Sequence, residues 1–220
     1  MIQQTFNKKE KEYWIEISRE HPDQGCFMQS DENVLSTTAK TMNIPEWLVR
    51  VSEKIFEGLS QEESLSFPVE LLEAIPENSD LTKKWKEWNY SLMMDEDHGQ
   101  YNYAAENVEC QDAIKGVADL FLLDVITYEA AAAAANLATD SVSALANSAA
   151  RSATAAAAAV AATASNSDSV YSTAAVADSV ASAASNSVYL AADSVARSDS
   201  ASVAVHYTWM KTNLIEILKS

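Results

Sequence analysis

Between Pro45 and Leu59 the chain alternates in a helical rhythm. Trp47, Leu48, Val51, Ile55 and Phe56 recur on one face, and Arg50, Glu53, Lys54 and Glu57 fall on the other. The spacing predicts an amphipathic helix with Pro45 in its first turn and Gly58 as its terminator. Ser66-Phe67-Pro68 opens a second helix carrying Val69, Leu71, Leu72 and Ile75, closed by a turn at Pro76-Glu77-Asn78-Ser79. Asp80 or Ser79 is placed to cap a third, running to Met93 or Met94 with Leu81, Trp85, Trp88 and Leu92 inward. Asp95–Gln100 is polar and reads as a loop. A helix from about Asn107 follows, with Val108, Ala113, Val117, Ala118, Leu120, Phe121 and Leu122. Its Gly116 is worth about 1 kcal/mol less than alanine in a helix, which suggests close packing there. Upstream, Lys8–Glu20 suits a helix or an ordered arm, and Asp31–Met42 a short helix. Val203, Val205, Tyr207, Trp209, Met210, Leu214, Ile215, Ile217 and Leu218 predict a closing helix that returns to the apolar first half.

From Ala130 to Val205 the pattern changes character. These 76 residues hold 31 Ala and 16 Ser, with no Gly or Pro. Alanine is the strongest helix former, and small side chains let helices approach closely. Asn147-Ser148, Asn166-Ser167 and Asn186-Ser187 recur at steps of 19 and 20 residues. Asn and Ser favour helix starts, so turns are expected at 165–167 and 185–187, with helices of about 18 residues between them; the alternative is one long, unbroken helix with polar interruptions. The Asp-Ser-Val triplets at Asp140, Asp178 and Asp193, with Asp168-Ser169-Val170, mark a solvent face. The expected fold class is all-α, a multi-helix bundle with a close-packed Ala/Ser array. One unit is expected over 1–220: an acidic helical layer with the main core (1–129), the Ala/Ser helices (130–205) and a closing helix (206–220). The tract alone buries too little apolar area to stand as its own domain.

Charge narrows the function classes. The net charge is −17, of which residues 1–129 carry −15 (26 acids against 11 bases) and residues 130–220 only −2 (6 against 4). Such a field repels nucleic acid and anionic membranes and attracts a basic protein. Cys26 and Cys110 make neither a disulfide framework nor a CxxC pair. The N-terminal MIQQTFNKKEKEYW lacks the apolar stretch of a secretion signal. The longest apolar run of the tract, Ala155–Ala162, falls well short of the ~20 residues of a membrane span. A cytoplasmic protein is expected, binding neither nucleic acid nor membrane.

Candidate chemistry is sparse. Asp95-Glu96-Asp97-His98 is the densest set of metal-ligand types, but adjacent loop residues cannot all face one ion. His21, His98 and His206 lie far apart in sequence and none precedes an Asp, so the His-Asp pair of an HD-type phosphohydrolase is absent. Cys110 reads as a buried helix residue. No serine stands in GxSxG or SxxK, and four glycines in all leave no phosphate-cradling loop. Thr139, Thr154, Thr163 and Thr173 step by 15, 9 and 10, not the constant 11 that an ice-binding alanine helix requires. No catalytic residue, metal or cofactor is expected. Aromatic residues beside acids can form a protein-binding surface, which makes Asp95, Glu96, Asp97, Tyr101 and Tyr103 the candidate contact residues. Trp85 and Trp88 belong instead to the core. In an alternative reading, a pocket between tract helices sequesters a small molecule or nucleotide, lined by Arg151, Tyr171, Tyr189 and Arg197.

The segments IPEWLVRVSEKIFEGLS (44–60), FPVELLEAIPENSDL (67–81), DEDHG (95–99), CQDAIKGVADL (110–120) and TWMKTNLIEIL (208–218), with the Ala/Ser tract before the last, resemble in their order a group of alanine-rich helical proteins from bacteria and their phages. Some of that group are classed as immunity proteins of toxin systems. The resemblance implies an all-helical fold and a neutralising role, and brings no catalytic residues with it. The function expected is therefore a non-enzymatic inhibitor of a basic protein, immunity-type or anti-defence.

Overall fold

The computed structural model describes residues 8–20, 32–81, 84–103, 108–123, 130, 133–134 and 203–220. Among them every regular element is a helix: α1 (Lys8–Glu20), α2 (Glu32–Met42), α3 (Glu46–Gly58), α4 (Gln61–Ala74), α5 (Lys84–Met94), α6 (Gln100–Tyr103), α7 (Val108–Leu120) and α8 (Val203–Lys219). The all-α expectation holds. The turns expected at 165–167 and 185–187, and the helices between them, lie outside the described residues.

α3 is the centre of the bundle, in contact with α2, α4 and α8. Its apolar stripe of Trp47, Leu48, Val51 and Ile55 is buried as the periodicity requires, but so are Val49, Ser52, Arg50 (9% exposed) and Glu53 (3%). Lying on the face opposite that stripe does not expose Arg50 and Glu53: a helix with neighbours on several sides buries its polar face too. Arg50 meets that burial with a two-pronged bond to Glu46 Oε1, at 3.0 and 2.7 Å. Pro45 is extended and precedes the helix as its cap residue, one step earlier than the spacing suggested.

α4 starts at Gln61, well before the expected Ser66. Ser60 is the cap: its hydroxyl accepts from the Glu63 N–H at 3.4 Å and donates to the Glu63 carboxylate at 2.6 Å. Pro68 thus sits inside the helix, where it removes a backbone donor. Glu63 also receives the Thr208 hydroxyl of α8 at 2.7 Å, so one carboxylate serves both the start of α4 and its docking. The Ser60 and then the Thr208 hydroxyl hold this carboxyl below its ordinary value.

Two hydrophobic clusters share α5 as a wall. Trp88 and Leu92 enter the main core with residues of α2, α3, α4 and α8, and Met93 enters a smaller core with Cys110, Ala113, Ile114, Val117, Ala118, Leu120 and Phe121. Trp85 bridges the two, its ring edge-on to Phe121 at 5.6 Å. α8 contributes a buried stripe at strict four-residue steps: His206, Met210, Leu214 and Leu218. Three of these are ordinary core residues. The first is an imidazole.

Two glycines exchange the roles assigned to them. Gly58 does not end α3 through a special backbone. It is small because the Tyr207 ring of α8 lies where a Cβ would be. Gly116, expected at a tight crossing, has nothing within 4 Å of a built Cβ.

Candidate functional site

The Asp95–Gly99 segment is an ordered turn and not a slack loop. Its first residue continues α5, with the Asp95 N–H bonded to Ser91 O at 3.0 Å. Asp95 Oδ1 then accepts from the N–H groups of Asp97 (3.1 Å) and His98 (2.8 Å), the local capping for which a short carboxylate suits. Gly99 N–H closes on Asp95 O at 3.0 Å, and Asn102 Nδ2 donates to the carbonyls of Asp95 (3.1 Å) and Glu96 (2.9 Å). A Cβ on Gly99 would lie 2.6 Å from Asp95 N and O, both backbone, so only glycine closes this turn unstrained. α6, a single helical turn that the polar pattern did not suggest, follows at once.

The five candidate contact residues divide into different roles. Glu96 and Asp97 are exposed at the tip, and neither makes an ion pair among the described residues. Asp95 is half-buried and occupied in shaping the turn. Tyr101 is half-buried against the smaller core. Tyr103 ends α6, and its side chain is not described. Arg151, Tyr171, Tyr189 and Arg197, the lining of the alternative pocket, all lie outside the described residues.

The bundle brings together two histidines that are 108 residues apart in sequence. The His98 ring, on the turn, lies 6.1 Å from the His206 ring on α8, and Trp209 sits 5.2 Å from His98 and 5.0 Å from His206, centroid to centroid. His206 is 2% exposed. Burial, and then the neighbouring His98, push its imidazole down to about 4, while the Asp95 carboxylate acts in the opposite sense. His206 is therefore a neutral ring at pH 7. Two residues after His98 in the chain, Gln100 is 1% exposed, and neither end of its amide finds a hydrogen-bond partner among the described residues. At the level of sequence the two histidines and Trp209 were not marked as a site; the signal that could have found His206 is its four-residue step to the apolar Met210, Leu214 and Leu218.

The cluster terminates a polar seam between α5 and α8. Lys84 Nζ meets Ser220 Oγ at 2.9 Å, Ser91 and Asn213 exchange bonds at 3.1 and 2.8 Å, and His98 faces His206. Steps of seven along 84, 91 and 98 answer steps of seven down 220, 213 and 206. That is the register of two antiparallel helices in near-parallel packing.

Among the described residues, no group of three His, Cys, Asp or Glu side chains is arranged to hold a metal ion. No helix among them is long and apolar enough to cross a membrane. A scan against protein-family models finds no match to this chain, and searches of curated proteins and of solved structures find none either.

Proposed function

We propose that this protein is a non-enzymatic binding protein, of immunity or anti-defence type, that neutralises a basic protein through its acidic surface at the Asp95–Gly99 turn. The observation that carries this reading is the uneven use of charge. Described cations are largely engaged within the fold: Arg19 with Glu73, Arg50 with Glu46, Lys54 with Glu57, Lys84 with Glu87, Lys115 with Asp119 and Lys211 with Glu70. Lys11 and Lys86 donate to backbone carbonyls. The surplus is negative, and Glu96 and Asp97 present it on a turn held by five hydrogen bonds. A rigid, unneutralised acidic tip loses little entropy on docking and speeds encounter with a basic surface.

The test is capture of a partner from the native host, repeated across ionic strength and with charge-reversed protein. A basic partner should bind at low salt and weaken as salt rises. The double variant Glu96→Lys/Asp97→Lys should lose about tenfold or more in affinity, as charges at an interface rim mainly set association. Reversal of the exposed Glu77, on another turn, is the control. Binding that ignores both salt and the tip reversal overturns the proposal.

A further inference from the structure

α1 grips the bundle with cations, and has no fully buried apolar side chain among those described. Trp14 and Ile15 reach the main core half-buried, and Tyr13, edge-on to Trp14 at 5.3 Å, is exposed. Ser18 is the buried residue of this helix, and its hydroxyl has no hydrogen-bond partner among the described residues, which costs stability. The polar anchors lie at the C-terminal end of α4. Lys11 Nζ donates to the Glu73 and Ile75 carbonyls at 2.9 and 2.7 Å, and Arg19 pairs with the Glu73 carboxylate at 2.8 Å. α4 has no basic residue in its own last turn, so α1 supplies the cation that a helix C-terminus favours.

The α4 surface beneath α1 is a cation acceptor. α4 carries Glu62, Glu63, Glu70 and Glu73 and no base. Glu63 and Glu70 are engaged with α8, through Thr208 and Lys211, whereas Glu73 and the terminal carbonyls turn to α1. Lys11, Trp14, Ile15, Ser18 and Arg19 recur at steps of three and four, so they form one docking face of α1. Glu12, Glu16 and Glu20 are exposed. Their repulsion by a chain of net charge −17 works against docking. A helix with the same docking face and without those acids is the better electrostatic match.

We propose that the α4 face under α1 is an occluded docking site for a basic amphipathic helix of a partner protein, and that α1 is its displaceable internal occupant. Displacement substitutes one helix for another. The incoming lysine takes the Glu73 and Ile75 carbonyls, an arginine takes the Glu73 carboxylate, and apolar side chains take the places of Trp14 and Ile15. α1 opens locally, without the rest of the bundle, because it packs chiefly on α4 and its Arg19–Glu73 pair is exposed on both sides. The site shares no residue with the Asp95–Gly99 turn, so it stands or falls apart from the acidic tip.

Hydrogen exchange and peptide binding, both on the full chain at low ionic strength, test this. Amides of α1 should exchange by local opening, and those of α3 and α8 far more slowly. In Lys11→Ala/Arg19→Ala the α1 amides should open about tenfold or more often, with α3 and α8 unchanged, which shows that the bundle stays folded. The binding probe is a synthetic peptide of residues 8–20 carrying Glu12→Gln, Glu16→Gln and Glu20→Gln. It should bind the double variant about tenfold or more tightly than the parent, because the site is open more of the time. Adding Glu73→Lys to that variant should remove the gain, and Glu96→Lys/Asp97→Lys should leave it intact. Opening of α1 that always carries α3 with it, equal affinity for parent and double variant, no binding to either, or loss of binding on reversal of the acidic tip each overturns the proposal.

Discussion

Two glycines show how little a residue's type says about its role until its neighbours are known. Gly58→Ala gains helix propensity of about 1 kcal/mol but places a methyl inside the Tyr207 ring of α8. The ring must move, and overpacking of this kind typically costs about 1–3 kcal/mol, so a net loss is expected. Gly116→Ala meets open space and should gain about 0.5–1 kcal/mol. Urea midpoints of the two variants should move in opposite directions, and a shift of the same sign in both would refute the assignment. Glu53 is a separate residue-scale case. Burial comes first among the causes that raise its carboxyl above the ordinary value, and Oε1 accepts no hydrogen bond among the described residues. Its folded form prefers the proton, so ionisation costs stability as pH rises through and above about 4.5. Glu53→Gln should therefore match or exceed the parent at pH 7, with the difference vanishing below pH 4.5 in denaturant titrations at several pH values.

At the scale of elements, periodicity was enough to place α3, α5, α7 and α8 in the chain within a few residues, because each carries apolar positions at helical steps. The start of α4 was equally written in Ser60-x-x-Glu63, but Pro68 drew the boundary forward, since proline is commonest in a first turn. Ser60→Ala should cost about 1 kcal/mol, the ordinary worth of such a cap, and should also free Glu63 from one of its two hydroxyl partners. Thermal unfolding of Ser60→Ala measures this, and a loss larger than that of a plain cap would show α4 docking on α8 through Glu63. What no local pattern contained is which helices lie side by side. The seven-residue steps linking 84, 91 and 98 to 220, 213 and 206 exist in the sequence, yet they acquire meaning only once α5 and α8 are antiparallel neighbours. For that reason His98 and His206 read as unrelated residues. The acidic tip was legible because its residues are adjacent, whereas the bonds that stiffen it reach forward from Asp95 to Gly99 and back from Asn102.

For the whole molecule the governing quantity is the net charge of −17. With most described cations already paired inside the fold, the surplus carboxylates repel one another, and self-repulsion of this kind destabilises a compact state. Salt shortens the range of that repulsion, from about 30 Å at 0.01 M to about 8 Å at 0.15 M, a span comparable to the distance across a small helical bundle. Exposed pairs such as Lys8–Glu12 weaken at the same time, but each is worth at most about 1 kcal/mol, and the excess of acids over bases outnumbers them. The urea midpoint should therefore rise between 10 mM and 300 mM NaCl. Binding of the proposed basic partner should weaken across the same interval, because the field that destabilises the free protein is the one that would draw such a partner in. These opposite responses separate two explanations of lost capture at high salt: screening of the interface leaves a more stable protein, whereas unfolding leaves a less stable one. A midpoint that falls with salt would mean that ion pairs, not repulsion, dominate this surface, and would remove the electrostatic basis for an acidic docking face.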